Sequence, residues 1–312
     1  MSITRISSQT ANNMATAAMS GAYSKYASII QKIADNKNFT KISENVPDAV
    51  SLMKIKNQMS EIDGYQSNIQ HAVNEMNLVY DTLGSVNDEL SAINGLVLSA
   101  ANAPTTPDAA KAYAAEIEER VETVKNLMNT QYLDNYIFSG TFVNEQTYTT
   151  DPETGEVIYN GSPAKVPGER NLTISADTKF SYNFTGEEIF GEQDGVNDFF
   201  AQMKDLVDKL YAADDNQEVD YDAIREKLKI IDTASRNIAQ TDGVVSAKVS
   251  KLLATQEINE DTLVNLTEKR TDIEEVDIIK AASDLASART GLQASYALGT
   301  SVLSSVSLLD YI

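Results

Sequence analysis

Apolar residues recur at alternating steps of three and four over a long stretch of the chain, and this pattern constrains the fold more than any other feature. The stretch covers residues 62–97, or roughly five heptads, and its members are Ile62, Tyr65, Ile69, Ala72, Met76, Val79, Leu83, Val86, Leu90, Ile93 and Val97. A period near 3.5 residues keeps one stripe of a helix facing its partner along the full length. The pattern predicts a long helix packed lengthwise on another helix.

A second helix is predicted after a short segment rich in turn-forming residues. Residues 102–108 contain two prolines, and Asp108 is the predicted N-cap of the following helix. Helical spacing of apolar residues then continues through Tyr113, Ile117, Val121, Val124 and Met128. Because the connection is short, the two helices are predicted to form an antiparallel hairpin.

The character of the chain changes between residues 140 and 191, where Thr, Tyr, Phe, Val and Gly predominate. A turn-forming Asp-Pro-Glu-Thr-Gly sequence at 151–155 separates residues 146–150 from 156–159, which predicts a β-hairpin. Alternation in residues 171–175 and 179–184 predicts two more strands. A sheet of this size is only marginally stable by itself, so the insertion is expected to lean on the helices.

Helical spacing resumes after the insertion and continues to the C-terminus. The pattern passes through an Asp242-Gly243 pair, where glycine predicts a kink or an interruption because it costs about 1 kcal/mol inside a helix. The last heptad run is predicted to form the assembly seam of the terminal helix. Its members are Ile278, Ala282, Leu285, Arg289, Leu292, Tyr296, Gly299, Leu303 and Val306.

The first 34 residues differ in charge from the rest of the chain. They contain Arg5, Lys25 and Lys32 but no acidic residue. Small and apolar residues recur there at helical spacing, which predicts a helix too weak to be stable alone. The charge-poor C-terminal helix is its candidate partner. We expect both ends to be disordered in an isolated monomer and to order on assembly.

These patterns predict a mainly α protein. Its N- and C-terminal halves form a long antiparallel helical bundle or coiled coil, with a small β-rich insertion domain in the middle. The predicted segments are an N-terminal helical segment at 1–42, the first half of the body at 43–140, the β-rich insertion at 141–191, the second half at 192–270 and the C-terminal helix at 271–312.

Charge and composition argue against several kinds of site. With 25 Lys and Arg against 46 Asp and Glu, the net charge of −21 disfavours nucleic acid as a partner. The chain has no Cys, and His71 adjoins the heptad seam, where a helix-surface role is favoured over catalysis. The acidic segment 214–225 lacks the Gly and Glu that a calcium-binding loop needs at its sixth and twelfth positions. We expect no metal and no cofactor.

Export and membrane signals are also weak. The N-terminus lacks the continuous apolar stretch of a secretory signal peptide, so Sec export is not expected. Residues 290–309 carry no charge and approach the length of a membrane span, but many of them are Ser, Thr, Gln or Gly. Packing of one apolar face against protein is favoured, and no membrane insertion is expected.

Several motifs resemble the flagellin superfamily and, within it, the hook-filament junction proteins. Residues 3–13 are similar to a flagellin-type N-terminus, and Tyr136-Ile-Phe-Ser-Gly-Thr141 resembles the motif, marked by Tyr136, Phe138 and Gly140, that leaves the helical body for the outer domain. Residues 183–190 are similar to the return from that domain. Residues 271–277, 292–296 and 307–312 resemble the family's C-terminal motifs, so the likeness spans the whole chain.

The resemblance implies a structural subunit, not an enzyme, of the bacterial flagellum. Such subunits are exported unfolded by the flagellar type III apparatus after a chaperone binds their C-terminal region. The implied partners are identical subunits, another hook-associated protein on the hook side and flagellin on the filament side. The implied location is outside the cell, at the hook-filament junction.

Three alternatives remain open. A flagellin filament subunit is the nearest, although the short insertion resembles junction proteins more. A cytoplasmic coiled-coil interaction protein would have stable helical termini. A secreted hydrolase would need a buried pair of carboxylates with raised pKa values in a cleft.

Overall fold

The predicted mainly α architecture is confirmed. The computed structural model describes residues 2–102, 106–163, 168, 170–191, 198–213 and 221–309. A short 3-10 helix at Ile42–Glu44 accompanies seven α-helices, which are α1 (Ser2–Asp35), α2 (Val46–Asn102), α3 (Pro107–Met128), α4 (Gly186–Phe190), α5 (Phe199–Tyr211), α6 (Tyr221–Glu274) and α7 (Ile278–Leu309).

The chain divides into two compact units. The first unit combines the two ends of the chain, Met1–Glu61 and Asp261–Ile312, and the second unit is Ile62–Glu260. The first unit therefore contains α1, the beginning of α2, the end of α6 and α7. Chain ends that are distant in sequence thus belong to one unit.

The core of the second unit contains the long seam that the sequence predicts. On α2, Ile62 is half-buried, and the other predicted seam residues, Ile69, Met76, Leu83, Leu90 and Val97, are fully buried. On α6 the buried positions repeat at seven-residue intervals, at Ile224, Ile231, Ile238, Val245 and Leu252. This repeat is the one expected for helices that pack lengthwise.

Two local predictions on the helices are wrong. The N-cap of α3 is Thr106, whose side-chain oxygen accepts from the Ala109 amide at 3.4 Å, and not Asp108. Pro107 occupies the first helical position, where proline needs no amide partner. Likewise, α6 runs through Asp242 and Gly243 without interruption, because burial of the flanking Ile238 and Val245 outweighs the helix penalty of one glycine.

The middle of the chain forms three two-stranded antiparallel pairs. The predicted hairpin is confirmed as β3–β4, and the two further predicted strands are β5 and β6, which pair with each other. The pair β1–β2 lacks an alternating pattern and was not predicted. Leu133 and Asp134, between β1 and β2, both have positive φ angles. The strands are β1 (Gln131–Tyr132), β2 (Asn135–Tyr136), β3 (Tyr148–Thr150), β4 (Val157–Tyr159), β5 (Asn171–Ser175) and β6 (Thr178–Ser181).

The β5–β6 hairpin leans on the helices of the second unit, as expected. The Asn68 side-chain amide on α2 donates to the Thr173 carbonyl at 2.9 Å, and that of Asn259 on α6 donates to the Ile174 carbonyl at 3.1 Å. Both carbonyls belong to β5. The bonds attach one strand of the hairpin to two long helices.

Candidate functional site

The described residues contain no obvious catalytic or metal site. Among them, no group of three or more His, Cys, Asp or Glu side chains is placed to hold a metal ion. His71 lies exposed on α2. Residues 214–220, most of the candidate calcium loop, lie outside the described part of the chain. No described helix combines the length and the apolar character needed to cross a membrane.

A cleft of about 520 Å³ between α3, the β3–β4 hairpin and α5 is the natural place to look for a hydrolase site. Burial raises the pKa of two carboxyl groups, Glu75 and Asp242, but neither lines this cleft. Glu75 is paired with the Arg170 guanidinium at 2.9 Å. The two carboxyl groups whose pKa burial raises therefore lie away from this cleft.

The two terminal helices pair in an antiparallel fashion. Beyond the end of α1, the Asn38 amide donates to the carbonyl of Glu274 at 2.8 Å, and further along the pair Met19 lies beside Gly299. The less exposed positions of α1 follow steps of three and four, and they are Asn12, Ala15, Met19, Ala22, Tyr26, Ile29 and Ile33. The partner of α1 is therefore α7, as the sequence predicts.

The facing stripe of α7 is only partly the predicted one. Leu285 and Leu292 are half-buried, whereas Ile278 is 63% exposed and Tyr296 is 50% exposed. The side chains of Leu303 and Val306 lie outside the described residues. The less exposed positions are Ala281, Leu285, Ala288, Leu292, Ser295 and Gly299. Whether the full predicted set forms a seam between subunits stays a prediction.

Small residues on this stripe permit close approach of the two helices. A Cβ atom at Gly299 would lie 2.8 Å from the Met19 sulfur and 2.9 Å from its methyl carbon. The glycine that weakens the heptad pattern in sequence thus accommodates a larger side chain from α1. Ala281 and Ala288 are also buried on this face.

Residues 271–277, a motif of the family resemblance, form the corner between α6 and α7. The Asp277 carboxylate accepts from the Ile279 and Lys280 amides, both at 3.0 Å, and thereby caps α7. The Glu274 carboxylate accepts from the Lys56 ammonium on α2 at 2.9 Å. The motif therefore connects α6 to α7 and fixes the start of α7.

The exit and return motifs of the insertion meet each other. The Gly140 amide donates to the Phe184 carbonyl at 3.0 Å, and the Gly186 amide donates to the Phe138 carbonyl at 2.9 Å. The Phe138 side chain is fully buried, while Tyr136 is half-buried in β2. Thr185 begins α4 with a capping box. Hydrogen bonds between the two motifs thus join the segment that enters the insertion to the segment that leaves it.

Sequence reasoning missed the residues that pack against these glycines. Gly140 has a φ of +65°, and a Cβ there would collide with the Ser162 side chain, whose oxygen accepts from the Thr141 amide at 3.2 Å. A Cβ at Gly186 would lie 2.5 Å from the Tyr148 hydroxyl. Isolated Ser and Tyr residues carry no pattern that would have revealed these contacts.

The fold of this chain is similar to that of flagellar hook-associated proteins of known structure. A putative flagellar hook-associated protein from Vibrio parahaemolyticus matches with a TM-score of 0.66 at 18% identity, covering 74% of this chain and 100% of that one. No protein-family model and no curated protein sequence match the chain.

The hook-filament junction protein FlgL has the same fold. The Xanthomonas campestris FlgL structure matches with a TM-score of 0.60 at 16% identity, covering 70% of this chain and 99% of that one. The Bacillus cereus FlgL structure matches with a TM-score of 0.56 at 19% identity and the same coverage. The resemblance drawn from the sequence motifs is thus confirmed at the level of the fold.

Proposed function

We propose that this protein is a structural subunit of the bacterial flagellum that joins the hook to the flagellin filament. The observation that carries the proposal is the union of the two chain ends in one helical unit, within a fold shared with flagellar hook-associated proteins. The motifs at residues 136–141, 183–190 and 271–277 add support, because each occupies a turning point of this fold. The protein acts by packing, not by catalysis.

The partners follow from this position in the flagellum. Identical subunits surround the chain, another hook-associated protein lies on the hook side and flagellin lies on the filament side. A chaperone binds the C-terminal region before type III export. The terminal helices order on assembly, which couples their folding to arrival at the right place.

Antibody labelling of cells and of purified hook-filament preparations tests the proposal. We expect label at the base of the filament and recovery of the protein with sheared flagella. Label along the whole filament would instead identify a filament subunit. A purely cytoplasmic signal would favour an intracellular coiled-coil protein and overturn the proposal.

A further inference from the structure

The beginning of α2 has two apolar faces, and the described residues of the chain cover only one of them. Ala49, Leu52 and Ile55 are buried. Three other residues share a second face at steps of four and three, and Ile42 in the 3-10 helix precedes them. We call this set the open stripe, and its exposed fractions are Ile42 62%, Val46 53%, Val50 45% and Met53 57%. Contiguous exposed apolar residues of this kind mark interaction surfaces.

Two lysines flank the open stripe. Lys41 precedes Ile42, and Lys54 lies one turn after Val50 on α2. Both side chains are exposed, and neither ammonium group has an ion-pair partner among the described residues. The open stripe is therefore apolar along its middle and basic at its margins.

The end of α6, in the same unit, has a face of opposite charge. Asp261, Val264, Glu268 and Asp272 follow each other at steps of three or four, so they share one side of the helix. Val264 is 60% exposed, and the three carboxylates around it are exposed and have no ion-pair partner among the described residues. We call these four residues the acidic face. Its apolar centre and acidic margins complement the open stripe.

The partition of charge between the two units suggests what covers these surfaces. The segments Met1–Glu61 and Asp261–Ile312 together hold 11 basic and 12 acidic residues, whereas Ile62–Glu260 holds 14 basic and 34 acidic residues. Like charges disfavour contact between two copies through the strongly acidic unit. The nearly neutral unit can approach its counterpart in a second copy at little electrostatic cost.

We propose that the open stripe of one copy docks on the acidic face of a second copy of this chain. Contact of two open stripes would instead place Lys54 against Lys54, which like-charge repulsion disfavours. Because the two docking surfaces differ, each copy keeps one of them free for the next copy. Such head-to-tail contacts form rings or open helical arrays, not closed dimers.

This contact deepens the proposed structural role and rests on it only for its place in the cell. The two surfaces cannot meet within one chain. Lys56 and Glu274 are bridged at 2.9 Å on antiparallel stretches of α2 and α6. From that bridge, Val50 lies six residues away in one direction and Val264 ten residues away in the other. At 1.5 Å per residue, they are about 24 Å apart along the helices.

Disulfide trapping tests the contact, because the native chain has no cysteine to interfere. The full-length variants Val50→Cys, Val264→Cys and the double variant are oxidised mildly, both as purified protein at rising concentration and in flagella sheared from cells. We expect the double variant to give a ladder of trimers and larger species. Each single variant stays monomeric, and a mixture of the two gives dimers only, because a disulfide needs Cα atoms within about 7 Å.

Charge reversal is an independent test of the same contact. Lys54→Glu in the double-cysteine chain is expected to reduce the ladder several-fold, and Glu268→Lys in the same chain is expected to restore it. A double-cysteine chain that gives no ladder in either setting would overturn the proposal. Dimers from Val50→Cys alone would show stripe-on-stripe contact and also overturn it, as would cross-linking only to a different protein.

The outcome is separable from the proposed function. A protein recovered in sheared flagella without a ladder would refute the docking surfaces and leave the flagellar role intact. A ladder from purified protein that never reaches flagella would support the docking surfaces and refute the role.

Discussion

At the scale of single residues, Gly140 holds a conformation that few other residues adopt. Its φ of +65° lies in the left-handed region, and its missing side chain leaves room for Ser162. Its amide also donates to the Phe184 carbonyl at 3.0 Å, where the segments that enter and leave the insertion meet. The glycine of the exit motif is therefore required by backbone geometry and by close packing together.

Gly140→Ala is expected to destabilise the second unit by about 2 kcal/mol or more, through left-handed strain and displacement of Ser162. The matched control is Gly84→Ala in the middle of α2, where an added Cβ meets nothing within 4 Å. That change is expected to stabilise the helix by up to about 1 kcal/mol. Urea unfolding followed by circular dichroism checks both. Equal midpoints for the two variants would contradict this account of Gly140.

The Glu75–Arg170 pair is a second residue-scale feature with a measurable consequence. Arg170 bonds the buried Glu75 carboxylate at 2.9 Å, and its guanidinium also lies 4.5 Å from the centre of the Tyr182 ring. Burial raises the pKa of Glu75 above 4.5, and Arg170 lowers it only in part. A carboxyl group whose pKa is raised in the folded state stabilises the folded protein at pH values below its ordinary pKa. That contribution is lost as pH rises through the folded value.

Arg170→Met is therefore expected to cost about 3 kcal/mol at pH 7, because it leaves a buried carboxylate uncompensated. The cost should shrink towards pH 4, where Glu75 takes up a proton. Urea midpoints at both pH values measure this change. The double variant Arg170→Met with Glu75→Gln should lose the added pH dependence. A cost that is the same at pH 4 and pH 7 would argue against the role assigned to the carboxylate.

At the scale of elements, the two heptad runs differ in how well sequence predicts their packing. The α2 run predicts its buried face almost completely, because most of its apolar residues fall on one side and most of its charges fall elsewhere, with Glu75 as a buried exception. The α7 run has apolar residues on several sides. Packing on α1 selects Ala281 and Ala288 in place of Ile278 and Tyr296, and it retains the predicted Gly299. Small residues permit close helix packing, which a hydrophobicity pattern does not register.

The α1–α7 pair is expected to fail when charge enters its interface. Leu292→Asp, like Leu285→Asp and Leu303→Asp, should abolish incorporation into hook-filament preparations, because it places a carboxylate on the terminal seam. The second unit should stay folded by circular dichroism. Thr290→Asp is the matched control, since Thr290 lies exposed on the same helix and the change adds the same charge. Normal incorporation of Leu292→Asp would refute the role given to this seam.

At the scale of the whole molecule, the two units differ both in net charge and in how completely their packed helix stripes are buried. The unit built from the chain ends is nearly neutral, while the second unit holds 34 acidic against 14 basic residues. The second unit also contains the α2 seam, which is fully buried from Ile69 to Val97, whereas three of the six less exposed α7 positions are only half-buried. This division agrees with a self-sufficient body and with ends whose order depends on their partners.

The basic, acid-free start of the chain is expected to carry the export signal. Deletion of residues 3–20 should abolish secretion while the protein still accumulates inside the cell. The control is Gly84→Ala in the middle of α2, which leaves both ends of the chain unaltered and should be secreted normally. Secretion measured in culture supernatants decides the matter, and undiminished secretion of the deleted chain would count decisively against the signal.

The sequence by itself determined the helical class, the α2 seam, the β3–β4 hairpin and the strands β5 and β6. These features are set by residue periodicity, which is local and repeats along the chain. Only the tertiary structure decided the register of α7, the Thr106 cap, the meeting of the exit and return motifs and the Glu75–Arg170 pair. Each of these depends on residues that lack a repeating pattern or lie far apart in sequence, and their proximity arises only when the helices pack.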